Sequence, residues 1–517
     1  MVKATKDLPD DVDALKALVA SKDQRIAALE EELRLALHKR FAASSEKASP
    51  DQINLFDEAE QIQSEVTAPA AIADEPTITV PEHERKTSGR KPLPDHLPRT
   101  RIEHDIPDAN KTCGCGCQKT RIGEVTSEQL DITPAKIQVL QHVRFKYACR
   151  SCEGTEDDGP TVVTAAMPPQ PIPMSNASPS LLAYVSVAKF VDGMPLYRLE
   201  PRFKRIGVDL PRNTMAGWMI RCGELIVPLI DLMQDWLLDH DIIQMDETTV
   251  QALKETGRAP QSQSYMWVRR GGPPDQTVIL FDYDPSRGAK VPVRLLQGFR
   301  GILQTDGYEG YAAVTRGNDM TWISCLAHVR RKFDEALKAQ QKKGRGGLAK
   351  QGFDFIQRLY RVEREARERE LDADSRKALR DEKAKPIWNE LRQWLDGTLG
   401  QVPPKSLTGK ALAYLDKQWP RLIRMLDDGR VEVDNNLCEN AIRPFVLGRK
   451  AWLFADTPAG ADASARIYSL IETAKANGLE PYAYLARVFA DLPAAIAAQD
   501  DKAIEKLLPW NVPVTDA

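Results

Sequence analysis

Residues 241–250 read DIIQMDETTV, an apolar, β-rich run that is typical of a buried strand. Such a strand has no need of a charge, yet this one carries Asp246. A second run of the same kind, GILQTDGYEGY at 301–311, carries Asp306. Taken alone, either Asp indicates little, because an acid at the end of a strand is usually a turn or capping residue.

The order of elements around the two acids gives them more weight. Strand-like runs at 264–270 (SYMWVRR) and 276–283 (QTVILFDY) precede a helical stretch near 290–297, after which GILQTDG and MTWISC return to strand patterns. Three strands, a helix and a further strand, with an Asp on the first and the fourth strand, form the layout of an RNase H-like core. We therefore predict such an α/β core at 239–328 and 431–460.

A third acid follows a long interruption of this pattern. Residues 329–430 are highly charged and mainly helical, and such a span is too long for a loop, so it indicates an inserted helical subdomain. Beyond it, the sequence VDNNLCENAIRPF offers Asp434, Asn435 or Asn436 as the cap of a helix. Any of these caps would place Glu439 in the early turns of that helix.

The three acids suit a metal-dependent reaction on DNA. Carboxylates of Asp246, Asp306 and Glu439 could hold two Mg²⁺ (or Mn²⁺) ions about 4 Å apart, which activate a nucleophile and stabilise the leaving oxygen in phosphoryl transfer. Four other acids remain rivals for these positions: Glu247, Asp282, Asp434 and Glu472.

Five of the eight cysteines lie between residues 113 and 152, within a stretch, 104–165, that we predict to be a small β-rich module. In a reducing compartment such clustering favours metal ligation over disulfides. The first cluster has the pattern CxCxC and the second CxxC, so one cysteine of the first is spare in a tetrahedral Zn²⁺ site. We predict structural zinc on four of these five, the alternative being free buried thiols: Cys113, Cys115, Cys117, Cys149 and Cys152.

The N-terminal segment 8–40 is predicted to contain a coiled-coil helix. Apolar residues alternate at spacings of four and three, with β-branched residues at one core position and mainly Leu at the other, which favours a parallel dimer. The alternative is an amphipathic helix packed on its own chain. The predicted seam consists of Leu15, Val19, Lys22, Ile26, Leu29, Leu33 and Ala36.

Several basic or polar segments are candidates for DNA contact. A linker at 41–103 includes a basic Pro/Gly stretch that could lie along a phosphate backbone, or could simply be solvated. Residues 177–238 show helices at 178–191, 195–206 and 211–224, which is helix-turn-helix spacing, although helical hairpins are common. The basic residues near the acids could clamp the same DNA or form solvated helix faces. Cys325 and His328 alone could suggest metal or nucleophilic chemistry, but we interpret Cys325 as a buried strand-end residue. The candidate contacts are Arg90, Lys91, Asn213, Arg221, His328, Arg330, Arg331, Lys332, Arg443, Arg449 and Lys450.

The overall composition sets limits on these interpretations. The chain has 517 residues, 28% charged and 42% hydrophobic, which is typical of a soluble protein of several domains. Its net charge of −3 lacks the basic excess of many DNA-binding proteins, but phosphate contact needs only a local basic surface. There is no signal-like segment and no run of about 18 apolar residues, so we expect a cytoplasmic protein without membrane contact.

Ordered motifs along nearly the whole chain resemble the TnpC-type transposases of the insertion-sequence sixty-six family. The motifs are KRFAASSEK, INLFDEAE, GRKPLPDHLPRTRIEHDIP, IGEVTSEQLDITPAKIQVLQHVRFKYACRSC, PLYRLEPRFKRIGVDLPRNTMAGW, QMDETTVQAL, LQTDGYEGY, CLAHVRRKF, DNNLCENAIRPFVLGRKAWLF and SLIETAKANGLEPYAYL.

This resemblance implies a DDE catalytic core, mapped onto Asp246, Asp306 and Glu439, with an insertion between the second and third acids. It also implies action on terminal inverted repeats and on target DNA in the bacterial nucleoid, a homodimer or higher oligomer, and small accessory proteins encoded nearby. Members usually have an Arg or similar residue after the third acid, whereas this chain has Asn440, so one DNA contact differs. Two alternatives are a non-catalytic, domesticated DNA-binding protein and a nuclease that never joins strands.

The expected fold is thus multidomain α+β, with a C-terminal helical region at 461–517. In chain order, we expect a coiled-coil helix, a linker, a zinc-binding module, a helix-turn-helix-like region, and an RNase H-like core interrupted by a large helical insertion.

Overall fold

The computed structural model describes residues 11–41, 137–148, 162–317, 319–339 and 347–513. The chain divides into two units, Met1–Thr67 with Lys146–Ala517, and Ala68–Phe145. The five clustered cysteines, Arg90, Lys91 and most of the predicted linker and zinc-binding module lie outside the described residues. The three candidate acids and the predicted insertion all belong to the first unit.

A five-stranded mixed sheet forms the centre of this unit. Its strands are β3 (Ile242–Gln251), β4 (Gln263–Gly271), β5 (Val278–Asp284), β6 (Gly301–Thr305) and β7 (Met320–Ser324). They lie side by side in the order β5-β4-β3-β6-β7. β3 pairs antiparallel with β4, and β4 with β5, whereas β6 runs parallel to both β3 and β7. The predicted succession of three strands, a helix and further strands is therefore present. Helix α6 (Lys290–Leu295) lies between β5 and β6 in the chain, and α7 (Ala312–Gly317) lies between β6 and β7.

Four helices directly precede the sheet, and the first three lie close to the predicted bounds. They are α2 (Pro179–Phe190), α3 (Leu196–Arg205), α4 (Arg212–Leu225) and α5 (Val227–Leu238). The breaks fall at Gly193 and Gly207, which have φ angles of +64° and +83°. This left-handed conformation favours glycine, since it lacks a Cβ atom, and so the two glycines set where the helices end.

The sheet and the helices that precede it share a first hydrophobic core with helices from the C-terminal part of the chain. The C-terminal helices are α13 (Asn436–Trp452), α14 (Pro458–Ala476), α15 (Pro481–Ala498) and α16 (Asp501–Glu505). α14 covers the outer edge of β5, because the backbone amides of Ile279 and Phe281 donate to the hydroxyls of Thr473 and Ser469 at 3.0 and 2.7 Å. These bonds satisfy an edge strand that would otherwise expose its amides.

The predicted insertion is helical and has a core of its own. Its helices are α8 (Leu326–Lys338), α9 (Leu348–Glu368), α10 (Ala373–Leu379), α11 (Lys385–Thr398) and α12 (Leu407–Leu422), with a π-helical turn at Arg380–Ala384. This second core contains Trp388 and Leu391, but also Ile323 of β7 and Leu326 of α8. The insertion is therefore packed on the sheet through the β7–α8 junction.

The N-terminal helix α1 (Val12–Phe41) is present, and a short antiparallel pair, β1 (Lys146–Ala148) and β2 (Val162–Thr164), marks the end of the predicted zinc-binding module. Among the described residues, no helix is long and apolar enough to cross a membrane.

Candidate active site

The sheet brings together Asp246, within β3, and Asp306, the first residue after the parallel strand β6. In the pairing of β3 with β6, Gln244 lies opposite Gln304, and each Asp follows its glutamine by two residues. Asp246 lies on the same face of β3 as Gln244, because side chains alternate along a strand, and Asp306 is the first residue beyond the end of β6. The charge of Asp306 acts on Asp246, so the two carboxylates lie close together. The layout of the strands, which suggested the pair, thus places the two acids side by side.

Glu439 lies against this pair in the first turn of α13, and its side chain is only 1% exposed. Two contacts fix the start of the helix on the sheet. The Asn435 side-chain amide donates to the Met245 carbonyl at 3.0 Å, next to Asp246 in the sequence. The Cys438 thiol donates to the Val268 carbonyl of β4 at 3.7 Å. The predicted helix start and the early position of Glu439 are both present.

The three acids act on each other electrostatically. Burial raises the pKa of Asp246 well above its usual range, and the charges of Glu247, Glu439 and Asp306 raise it further. Burial also raises the pKa of Asp306, against the opposing effects of the Tyr308 amide and the Arg287 guanidinium. Carboxylates held together in this way are unfavourable without a cation, and their oxygens are the ligands that Mg²⁺ and Mn²⁺ prefer. The donor set therefore fits such ions.

The rival acids have local partners. Glu247 pairs with Arg287 at 2.7 Å and accepts a hydrogen bond from the Tyr311 hydroxyl at 2.6 Å. The other three pairs are Asp282 with Arg269 at 2.8 Å, Asp434 with the Tyr360 hydroxyl at 2.9 Å, and Glu472 with Lys475 at 2.9 Å. These partners favour structural roles for the four rivals.

Among the basic residues predicted to contact DNA, His328 lies next to the candidate acid Glu439. It lies in the first turn of α8, and its Nδ1 atom is 3.7 Å from Glu439 Oε1. Burial lowers the pKa of His328 to about 3, and the charges of Arg331 and Lys332 add to the effect. The imidazole is therefore neutral at physiological pH and can offer a lone pair.

The other predicted basic residues on α8 and α13 have varied surroundings. The Arg330 guanidinium lies over the Phe353 and Tyr360 rings of the insertion, and Lys332 Nζ lies 4.7 Å from the centre of the Tyr414 ring. Arg449 donates to the Thr248 and Thr249 hydroxyls of β3 at 3.3 and 3.0 Å. The half-buried side chains of Arg331, Arg443 and Lys450 lie on the same two helices.

Asn213 and Arg221 belong to a different part of the molecule, the exposed face of α4. Arg221 pairs there with Glu224 at 2.9 Å. The predicted contacts did not include the arginines of the preceding helix, α3, whose exposed side carries Arg198, Arg202 and Arg205. Their spacing of four and three residues, which places them on one face of a helix, was the signal that could have identified them.

Models of known protein families match segments along nearly the whole chain. A family model described as "Transposase IS66 family" matches residues 174–463, which include the sheet, the three acids and the insertion. Three further models match: "Transposase C of IS166 homeodomain" at 28–102, "zinc-finger binding domain of transposase IS66" at 110–153, and "IS66 C-terminal element" at 469–510. The zinc-finger match covers all five clustered cysteines and supports structural zinc there.

Full-length relatives are found in Sinorhizobium fredii. The uncharacterized protein y4qI is 33% identical over 561 aligned positions, which cover 99% of each chain. The uncharacterized protein y4hP is 32% identical over 514 positions, covering 96% of this chain and 86% of the relative.

Proposed function

Since the chain belongs to the transposase IS66 family, we propose that it binds the terminal inverted repeats of an insertion sequence and catalyses metal-dependent cleavage and transfer of DNA strands. The observation that carries this proposal is that Asp246 on β3 and Asp306, just after the parallel strand β6, lie close together with the buried Glu439 next to Asp246. The strand order and the positions of the two Asp residues support an RNase H-like core.

In this proposal, Asp246, Asp306 and Glu439 hold two Mg²⁺ or Mn²⁺ ions. Such ions, when bound, supply an activated water or 3′-hydroxyl and stabilise the leaving oxygen of the phosphodiester. The role of the protein is to hold three carboxylates, from three separate segments of the chain, in position for the ions. The contacts of Asn435 and Cys438 with the sheet provide that rigidity for Glu439.

The remaining assignments follow from the same proposal. The zinc-binding module and the helices α3 and α4 would contact DNA, and α1 would join two or more copies of the chain. Small accessory proteins of the element would be partners, and the enzyme would work where bacterial DNA lies, in the cytoplasm at the nucleoid.

The test is cleavage of DNA that carries the element ends, with the variants Asp246→Asn, Asp306→Asn and Glu439→Gln. Each variant should lose at least about a thousandfold in Mg²⁺-dependent cleavage, because the charge stabilisation by the metal ions is worth several kcal/mol. Binding to the same DNA should persist. The control is Asp239→Asn, which removes an exposed carboxylate just after α5.

Cleavage at the wild-type rate by Asp246→Asn or Asp306→Asn would refute the proposal. Specific binding of the repeats by the wild-type chain, with no cleavage in any divalent metal, would identify a non-catalytic DNA-binding protein instead. Cleavage without joining, when a free 3′-hydroxyl end is supplied, would identify a nuclease.

A further inference from the structure

Three side chains of different chemistry meet at the proposed catalytic acid Glu439. Cys325 stands at the start of α8, His328 follows it by one turn, and Glu439 comes from the first turn of α13. One ligand atom from each of them, sulfur, nitrogen and oxygen, lies within 4.8 Å of the other two. The sequence alone suggested only Cys325 and His328 as a pair, because Glu439 comes from beyond the insertion.

The spacing of these atoms suits a small tetrahedral ion. Zinc binds nitrogen at about 2.0–2.1 Å and sulfur at about 2.3 Å, so its ligand atoms are roughly 3.3–3.7 Å apart. The distance from His328 Nδ1 to Glu439 Oε1 is 3.7 Å. Small side-chain rotations would therefore be enough to close the group around a zinc ion.

The chemistry of the group distinguishes it from the acid triad. A thiolate and an imidazole favour zinc, cobalt or cadmium, whereas Mg²⁺ and Mn²⁺ prefer oxygen ligands. A thiolate at Cys325 and the carboxylate at Glu439 would together balance the charge of a divalent ion. Their two negative charges also counter the repulsion between that ion and the nearby cations Arg331 and Lys332. Three protein ligands would leave one coordination position for water.

One contact and one unpartnered atom support this role. The Asn435 backbone amide donates to Cys325 Sγ at 3.2 Å, a bond that holds the sulfur and stabilises a thiolate. His328 Nδ1 is buried and, among the described residues, has no hydrogen-bond partner. A buried polar atom of this kind needs an explanation, and a bound ion beside the nitrogen supplies one.

We propose that Cys325, His328 and Glu439 form a binding site for zinc, distinct from the zinc-finger cysteines, and that its occupation inhibits the enzyme. A zinc ion there takes up the negative charge of Glu439 and adds a further dication next to Asp246 and Asp306. Both effects weaken the binding of Mg²⁺ by the acids. The inhibition rests on the proposed function, whereas the binding of zinc does not.

The binding is tested with Co²⁺ as a spectroscopic probe in the full-length chain, loaded after removal of bound metal. Because the zinc finger also supplies thiolates, the comparison is between the wild type, Cys325→Ser and the control Cys222→Ser, which changes another buried cysteine. Cys325→Ser should hold one metal ion fewer per chain than the wild type and show a weaker thiolate-to-cobalt absorption band. Cys222→Ser should match the wild type in both measurements.

A second variant guards against misfolding. If thermal unfolding shows that Cys325→Ser is not folded, His328→Asn should give the same loss of one ion, since it removes the nitrogen ligand. Equal metal content and equal absorption in the wild type and in a folded variant would overturn the proposed site, whether or not the chain cleaves DNA.

The inhibition is tested in the Mg²⁺-dependent cleavage assay. Half-inhibition is measured for each variant relative to its own rate without Zn²⁺, and Cys325→Ser should require at least about tenfold more Zn²⁺ than the wild type. Equal sensitivity to Zn²⁺ in a variant that has lost the ion would overturn the inhibitory role and leave the transposase proposal unaffected.

Discussion

Arg380 is a fully buried cation that holds three parts of the insertion together. Its guanidinium makes two charged hydrogen bonds with Glu363 of α9, at 2.7 and 2.8 Å. It also donates to the carbonyls of Met425, Asp428 and Val431, which lie in the segment that leads back to the sheet. Every donor direction of the planar group is thus used, which an ammonium group could not reproduce.

We therefore expect Arg380→Lys to destabilise the protein by about 3 kcal/mol, because part of the buried carboxylate and several carbonyls lose their donors. The measurement is equilibrium unfolding in urea. The control is Arg358→Lys, whose partner Glu390 is 53% exposed at the surface. That substitution should cost less than about 1 kcal/mol. Equal losses for the two variants would contradict this role of Arg380.

The same ion pair predicts a dependence on pH. Burial alone would raise the pKa of Glu363, but the hydrogen bonds and charges of Arg380 and Arg376 outweigh it and hold the pKa below its ordinary value of 4.5. A carboxylate with a lowered pKa in the folded state stabilises the protein above pH 4.5, and that contribution is lost as the pH falls through the folded-state pKa. The stability difference between the wild type and Arg380→Lys should therefore shrink below pH 4.5. A difference that stays constant down to pH 2 would exclude the pairing as its cause.

At the candidate site, the sequence was sufficient to nominate residues but not to rank them. The strand pattern suggested Asp246 and Asp306, and a helix-start motif suggested Glu439. The contacts that separate Glu247 from them come from Arg287 and Tyr311, which are 40 and 64 residues away in the chain. Such pairings depend on the folded sheet, and no local pattern records them.

The helix α1 has two different faces. One faces the rest of the unit, where Ala28 is buried, Glu31 accepts a hydrogen bond from the Leu407 amide at 2.9 Å, and Glu32 pairs with Lys410 at 2.7 Å. The predicted seam lies mainly on the other side, where Ile26 and Leu33 are 53% and 60% exposed. An apolar stripe with this spacing, left open on a docked helix, is suited to pairing with a second copy.

We expect the double variant Ile26→Asp/Leu33→Asp to be a monomer under conditions in which the wild-type chain self-associates, because two charges per helix would be buried in the seam. Light scattering on the purified chain measures the molar mass. Ser21→Asp is the control, since it adds one such charge at an exposed position off the seam. A wild-type mass that persists in the double variant would show that α1 does not hold the oligomer together.

The heptad pattern thus predicted the helix and its exposed stripe, but not the face that meets the insertion. The contacts of that face join residues that are 305 and 376 positions apart, as in the bonds of Arg34 with Ala339 and of Glu31 with Leu407. From the sequence, docking on its own chain and self-association were alternative roles for this helix. In the structure, one side of α1 packs on its own chain and the opposite side keeps the exposed apolar stripe, so the two roles are compatible.

In the whole molecule, the insertion is continuous with the proposed catalytic sheet. Ser324 at the end of β7 donates to the Gln418 side chain of α12 at 2.8 Å, and Gln304 of β6 donates to the Glu432 carbonyl at 2.7 Å. Ile323 belongs to the core of the insertion. The sequence predicted the insertion from its length and charge, but its role as a packed layer under β6 and β7 depends on side chains that meet only after folding.

This continuity predicts that a destabilising substitution in the insertion also affects the strands that carry the candidate acids. Leu391 is fully buried in the second core, so Leu391→Ala should cost about 2–5 kcal/mol through lost burial and the cavity left behind. Because the two layers share the β7–α8 junction, we expect one cooperative unfolding transition at a lower temperature, with faster hydrogen exchange in β6 and β7 as well as in α9, α11 and α12. Leu447→Ala, at a 47% exposed leucine, is the control and should leave exchange unchanged. Faster exchange confined to residues 347–430, with β6 and β7 as protected as in the wild type, would show that the insertion unfolds alone and that the acids on the sheet do not depend on it.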